Sequence, residues 1–195
     1  MSRAADVVRT GGVLLYPTET VYGLGCDPRC AEAVARVRAI KGRDADRPML
    51  ALTDRWGRIE PWIANLTDVH RRLMQQDGLA LTIVFDASDS APGALVSAAG
   101  GIGIRRTLSA FCRALVAEAD VPILSTSANR AGQSAVSSFA DLDAEVVEAV
   151  DLAVDAGQSL GGVASTVVRV ENGQIVVLRE GAVDVDRLHR IVAGD

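Results

Sequence analysis

Two cations separated by one residue, Lys41 and Arg43, follow a helical pattern and precede Pro48. Lysine is a compact point charge and arginine a planar fork, so together they can grip different edges of a polyphosphate or a carboxylate. Lys41 is also the single lysine among 20 basic residues. The ordinary account is that Gly42 closes the helix and the cations meet its dipole, and on spacing alone that account is the simpler. A second group, Ser125-Thr126-Ser127-Ala128-Asn129, ends a short apolar run. Hydroxyls and an amide at a strand's carboxyl end suit ligand binding in an open α/β sheet, and equally suit turns and helix caps. A third is Tyr16-Pro17-Thr18-Glu19-Thr20-Val21-Tyr22-Gly23-Leu24-Gly25, where Pro17 fixes the strand exit and glycines permit close approach; it reads as turn or site with equal ease. In Gly103-Ile104-Arg105-Arg106, neighbouring strand residues face opposite ways, so at most one guanidinium reaches a common pocket.

Other patterns carry less. No G-x-x-x-x-G-K-[ST] is present, so any ATP is held without a P-loop, and Gly101-Ile102-Gly103 lacks the third glycine of a dinucleotide fingerprint. Gly157-Gln158-Ser159-Leu160-Gly161 matches G-x-S-x-G with Asp186 and His189 downstream, but a nucleophile elbow needs a helix after the turn, and here a strand follows. His70 and His189 lack metal-ligand spacing and are expected at surface or interface positions on amphipathic helices.

The elements that must position these groups alternate between short apolar runs and helical spacing, the mark of a mixed α/β domain. Strands are predicted at 13–16, 49–52, 81–85, 102–105, 123–125, 165–170 and 175–178, and helices at 2–8, 30–40, 67–75, 109–119, 142–150 and 185–192. Asn172-Gly173 between β-branched runs signals a hairpin, which makes the sheet mixed. Glycines at 23–25, 100–103 and 161–162 are expected at strand ends. No repeat or linker divides the chain, so residues 1–195 are read as one domain.

With 49% hydrophobic residues the chain can bury one sizeable core, and a net charge of -5 argues against a surface built to grip nucleic acid. Three cysteines (Cys26, Cys30 and Cys112) form no disulfide or C-x-x-C framework and are expected to be small buried thiols in a reducing compartment. The polar start and the lack of a long apolar stretch predict a cytoplasmic protein without a membrane segment.

Taken in order, 17–25, Lys41-Gly42-Arg43, Ser125 to Asn129 and Ser165-Thr166-Val167-Val168 resemble the YrdC-like threonylcarbamoyl-AMP synthase family over most of the chain. The resemblance implies a single α/β domain whose twisted mixed sheet, flanked by helices, lines a large basic cavity. It implies that ATP, L-threonine and bicarbonate are substrates, with Mg²⁺ accompanying ATP and a tRNA-modifying transferase complex downstream. Direct tRNA binding is allowed but not required. Residue by residue, Lys41, Arg43, Ser127 and Asn129 match the family's nucleotide tetrad, Arg179 an ATP contact, and Thr20, Arg105, Ser125 and Ser165 positions near threonine. The sequence ends soon after Arg179, so the extra C-terminal domain of longer members is not expected. It departs from the family at Asp44, at Leu52 and across Gln76 to Ala80, which bears on the shape of the threonine pocket.

Such a reaction joins anionic partners and works by positioning and charge stabilisation, which calls for cations and directional hydroxyls and for no covalent nucleophile. Two rivals share parts of this reading. One is carbamoyl-adenylate handling as in hydrogenase maturation; the other is a non-catalytic RNA or ribosome-assembly module.

Overall fold

Strand β1 (Leu14–Pro17) shows how the architecture is built. All four of its residues are buried, because the sheet is covered on both faces. Leu14 and Tyr16 join one apolar cluster with Ala5, Val8, Leu115 and Val116, whereas Leu15 joins the other with Leu24, Val34 and Val37. A continuous apolar run is what a strand with two cores requires. The computed structural model describes residues 2–42, 49–158 and 161–194.

The remaining strands are β2 (Tyr22–Cys26), β3 (Leu50–Thr53), β4 (Ile63–Ala64), β5 (Leu81–Ala87), β6 (Gly101–Arg106), β7 (Ile123–Ser127), β8 (Leu152–Ala153), β9 (Thr166–Glu171) and β10 (Gln174–Arg179). They form one mixed sheet in the order β10-β9-β5-β6-β3-β7-β2-β1-β8, with β4 beside β5. Three neighbour pairs, β1/β8, β3/β6 and β5/β9, are parallel. The β9–β10 hairpin turns through Asn172 and Gly173, both at positive φ, as the Asn-Gly pair predicts.

Helices α1 (Ser2–Arg9) and α4 (Ala110–Ala119) pack together on one face. Helices α2 (Ala31–Lys41), α3 (Asp68–Gln75), α5 (Ala144–Glu148) and α6 (Val185–Ala193) complete the set among the described residues. Their ends follow capping chemistry. Ser109 accepts from the Cys112 amide at the start of α4, and Gly42, at φ 59°, closes α2 in the left-handed conformation. No helix among the described residues is long and apolar enough to cross a membrane.

Several expectations need correction. Strand β2 falls where glycines read as punctuation. Gly25 lies inside it because a Cβ there would stand 2.7 Å from Ile123 Cγ2 and 2.8 Å from the Leu124 carbonyl oxygen. Gly23 and Gly103 are likewise strand-interior, whereas Gly101 opens β6 as a strand-end glycine should. The helix expected over 142–150 is only Ala144–Glu148, preceded by a 3-10 turn at Phe139–Asp141. His70 is buried instead of superficial: its Nδ1 accepts from the Thr67 amide at 3.2 Å, closing a capping box, and its ring stacks on Phe85. Cys26 and Cys112 are buried, but Cys30 is only partly so. The G-x-S-x-G serine, Ser159, lies outside the described residues, as does Leu160.

Candidate active site

The β1–β2 hairpin carries the loop Thr18–Val21 into the interior, where it must satisfy its own polar groups. It does so through Thr18. The Thr18 hydroxyl donates to the Val21 carbonyl at 2.7 Å and accepts from the Thr20 amide at 3.1 Å. Since Thr18 has spent its proton, Thr20 is the donor in the 2.9 Å contact between the two hydroxyls. Thr20 in turn accepts from Arg105 Nη1 at 3.2 Å. Arg105 projects from β6, while Arg106 turns the other way to Asp77 and the Gln76 carbonyl, as strand alternation requires.

Three further groups face the same space. Tyr16 Oη donates to Ser125 Oγ at 2.8 Å; burial raises the phenol well above its ordinary pKa and keeps it a donor, which frees the Ser125 proton for another acceptor. Thr82 and Ser165 hydroxyls meet at 2.8 Å. Arg179 Nη2 donates to the Ser165 carbonyl at 2.8 Å and to its hydroxyl at 3.2 Å. Gly181 makes this approach feasible, because a Cβ there would lie 2.4 Å from the Ala164 carbonyl oxygen.

Together these groups enclose a cavity of about 500 Å³ lined by Thr20, Arg105, Ser125, Ser127, Ser165 and Arg179, with Arg169 and Ser97 toward its other side. Arg105 pairs with Glu19 and Arg169 with Asp86, whereas Arg179 is in no ion pair among the described residues. Burial, then the charge of Arg105, lowers the Arg179 pKa, a sign that two guanidinium groups crowd one space. The cavity's described lining holds no Asp, Glu or His, and no cluster of metal-ligating side chains occurs among the described residues. The buried thiols are poor nucleophiles, since burial pushes Cys26 up to about 12 and Cys112 up to about 11.

Lys41 stands apart from its expected setting. The helix end is no solvated surface: Lys41 is 1% exposed, and its Nζ donates to the Ser127 carbonyl at 2.6 Å, Asn129 Oδ1 at 3.1 Å and Ser127 Oγ at 3.3 Å. The lysine thus ties the end of α2 to the end of β7, and Ser127 presents that junction to the cavity. Arg43 lies outside the described residues, as does Asp44. The structure also adds residues that sequence reasoning left unassigned: Tyr16, Glu19, Thr82 and Thr107. Glu19 sits inside a segment already singled out, flanked by hydroxyls. Thr82 and Thr107 give no local signal, because only the pairing of distant strands brings them in.

An α/β sheet whose strand ends and hairpin loop converge on one cavity of hydroxyls and guanidinium groups describes a domain class that binds anionic small molecules. The Sua5/YciO/YrdC family model, described as "Telomere recombination", matches residues 6–181, and the chain belongs to that family. It is 36% identical to a threonylcarbamoyl-AMP synthase of Chromohalobacter salexigens over 88% of this chain and 95% of the relative. A second, from Thiobacillus denitrificans, is 39% identical over 65% of this chain and 68% of the relative. Among solved structures, Pyrococcus abyssi Sua5 complexed with L-threonine superposes with a TM-score of 0.89 at 26% identity, covering 97% of this chain. This chain spans 56% of that longer one.

Proposed function

We propose that this protein is a nucleotidyltransferase that makes threonylcarbamoyl-AMP from L-threonine, bicarbonate and ATP, releasing pyrophosphate. The observation that carries the reading is the convergence of Thr20, Arg105, Ser125, Ser127, Ser165 and Arg179 on one cavity, from segments far apart in a chain of this family.

In this reading Arg105 and the hydroxyls of Ser125 and Ser165 hold threonine. Thr20 lines the same pocket and steadies Arg105 by accepting from its Nη1. The Lys41-Ser127-Asn129 junction, with Arg43 and Arg179, holds the nucleotide. The threonine amine takes up bicarbonate with loss of water, and a carbamate oxygen attacks the α-phosphorus as pyrophosphate leaves. The protein's part is to bring three anions into line and to offset their charge. Mg²⁺ arriving with ATP would relieve phosphate repulsion; with no carboxylate in the described lining, phosphate oxygens and water would be its ligands there. The adenylate then passes to a tRNA-modifying transferase, and the cytoplasm is the compartment this role assigns.

Incubation with ATP, Mg²⁺, bicarbonate and labelled threonine tests the reading. Pyrophosphate should appear only when both threonine and bicarbonate are present. Release indifferent to threonine overturns it.

A further inference from the structure

Arg105 is the buried arginine of the cavity, and what surrounds it is unusual. Its Nε lies 3.2 Å from Glu19 Oε1, with both side chains about 6–7% exposed. The contact lacks the alignment of a hydrogen bond, and neither atom has another hydrogen-bond partner among the described residues. Arginine and carboxylate left to themselves close into a bidentate pair, two parallel N–H···O bonds on one edge of the fork. Here that closure is blocked. Glu19 Oε2 accepts from the Thr107 hydroxyl at 2.7 Å, which draws the second oxygen away from the guanidinium. Thr107 is fully buried, and its amide donates to the Thr53 carbonyl at 3.0 Å, so β3 fixes its position.

The consequence is a guanidinium whose charge is offset but whose fork is only partly used. Nε faces Glu19 and Nη1 serves Thr20, leaving the remaining Nη hydrogens for the cavity that Arg105 lines. We propose that Glu19 and Thr107 are positioning residues for Arg105: Thr107 holds Glu19 in a one-point contact so that the arginine fork stays open to the amino-acid carboxylate. This deepens the reading of the cavity given above and rests on it. Neither residue need touch substrate. Their effect passes through the angle and the charge of Arg105, which a support of this kind keeps within the narrow range that productive binding needs.

The test uses the full chain and separates threonine from ATP. Steady-state KM values for both substrates, with threonine binding by calorimetry, are measured for the parent, Glu19→Gln, Glu19→Asp and Thr107→Val. In Glu19→Gln the amide keeps the Thr107 bond but loses the charge beside Arg105. Its threonine KM should rise at least tenfold with ATP KM within twofold, and Glu19→Asp should recover part of the loss. Thr107→Val releases Glu19 to close on Arg105, so threonine KM should rise severalfold although the ion pair remains. Proportional rises in both KM values point to general disorder of the site and overturn the proposal. So does a Thr107→Val protein with parental threonine KM, and that variant decides the matter if Glu19→Gln does not fold. A parent protein that binds no threonine overturns the underlying functional reading and this inference with it.

Discussion

Replacing Lys41 with methionine removes an ammonium while keeping most of the side chain's length and apolar bulk. Three acceptors then lose the ammonium: the Ser127 carbonyl, Ser127 Oγ and Asn129 Oδ1. The carbonyl keeps the Asn129 amide at 3.0 Å, so among the described residues Asn129 Oδ1 is the one left without a donor in a buried setting. Each hydrogen bond to a charged group contributes about 1.5–3 kcal/mol, and a stranded buried acceptor costs about 1–3 kcal/mol. Against that, methionine escapes the desolvation of a buried charge, which is itself worth several kcal/mol. Asn129 also keeps its own anchors, since its Nδ2 donates to the carbonyls of Arg130 and Gln133. The balance is a loss of about 2–4 kcal/mol. For a chain of this size that lowers the melting temperature by roughly 5–15 °C. Thermal and urea unfolding of Lys41→Met beside the parent measures it, with ATP affinity determined below the melting transition. A variant that melts within about 1 °C of the parent yet binds no ATP would falsify the strut, and would make Lys41 a ligand side chain alone.

Gly25→Ala should cost about 1–3 kcal/mol through overpacking, because its methyl meets Leu124 backbone and the Tyr16 ring at 2.8 Å. Gly103→Ala, whose Cβ would sit 3.6 Å from Thr82, should melt near the parent but crowd the cavity it lines; parallel melting curves and threonine KM values check both. Burial lowers the His70 pKa below its ordinary 6.5, with the Asp86 charge opposing. The unfolded chain therefore takes the proton first, and this contribution to stability is whole above about pH 6.5 and lost as pH falls toward the folded value. His70→Gln keeps an N3 acceptor for Thr67 without titrating, so its urea midpoint should vary less than the parent's between pH 5 and 7; equal slopes would count against the buried-neutral account. Arg179→Gln should raise the KM for ATP about tenfold or more, the loss of one charge-assisted contact, with little change in melting temperature; an unchanged KM would remove Arg179 from the nucleotide site.

How much of this was legible in the sequence depended on range. Periodicity placed most strands and helices to within a residue or two, because strand and helix periods are written in neighbouring positions. The Asn172-Gly173 turn and the caps at Ser109 and Gly42 were equally local. Strand alternation alone separated Arg105 from Arg106. The ordered motifs of Thr20, Lys41, Ser125 to Asn129 and Ser165 named the family and most of the residues now found around one cavity.

What the sequence withheld was anything set by contact between distant segments. It put Gly23 and Gly25 at strand ends, because the reason for Gly25 is the nearness of Ile123, Leu124 and Tyr16, and Gly23 lies against Thr126 and Ser125 of the neighbouring strand. It read Lys41 as a helix-end cation meeting the dipole, since no local pattern shows that Ser127 at the end of β7, and Asn129 just beyond it, lie against that end and accept from the ammonium. His70 looked superficial for the same reason: Phe85, on which it stacks, belongs to another element. Glu19, Thr107 and Tyr16 acquire meaning only where β1, β6 and β7 bring Arg105 and Ser125 beside them. Residue types and spacings determined which chemistry the chain could offer. The tertiary structure decided which protons, charges and hydroxyls are already committed inside the protein and which are left for a ligand, because burial removes water as the partner each group would otherwise use.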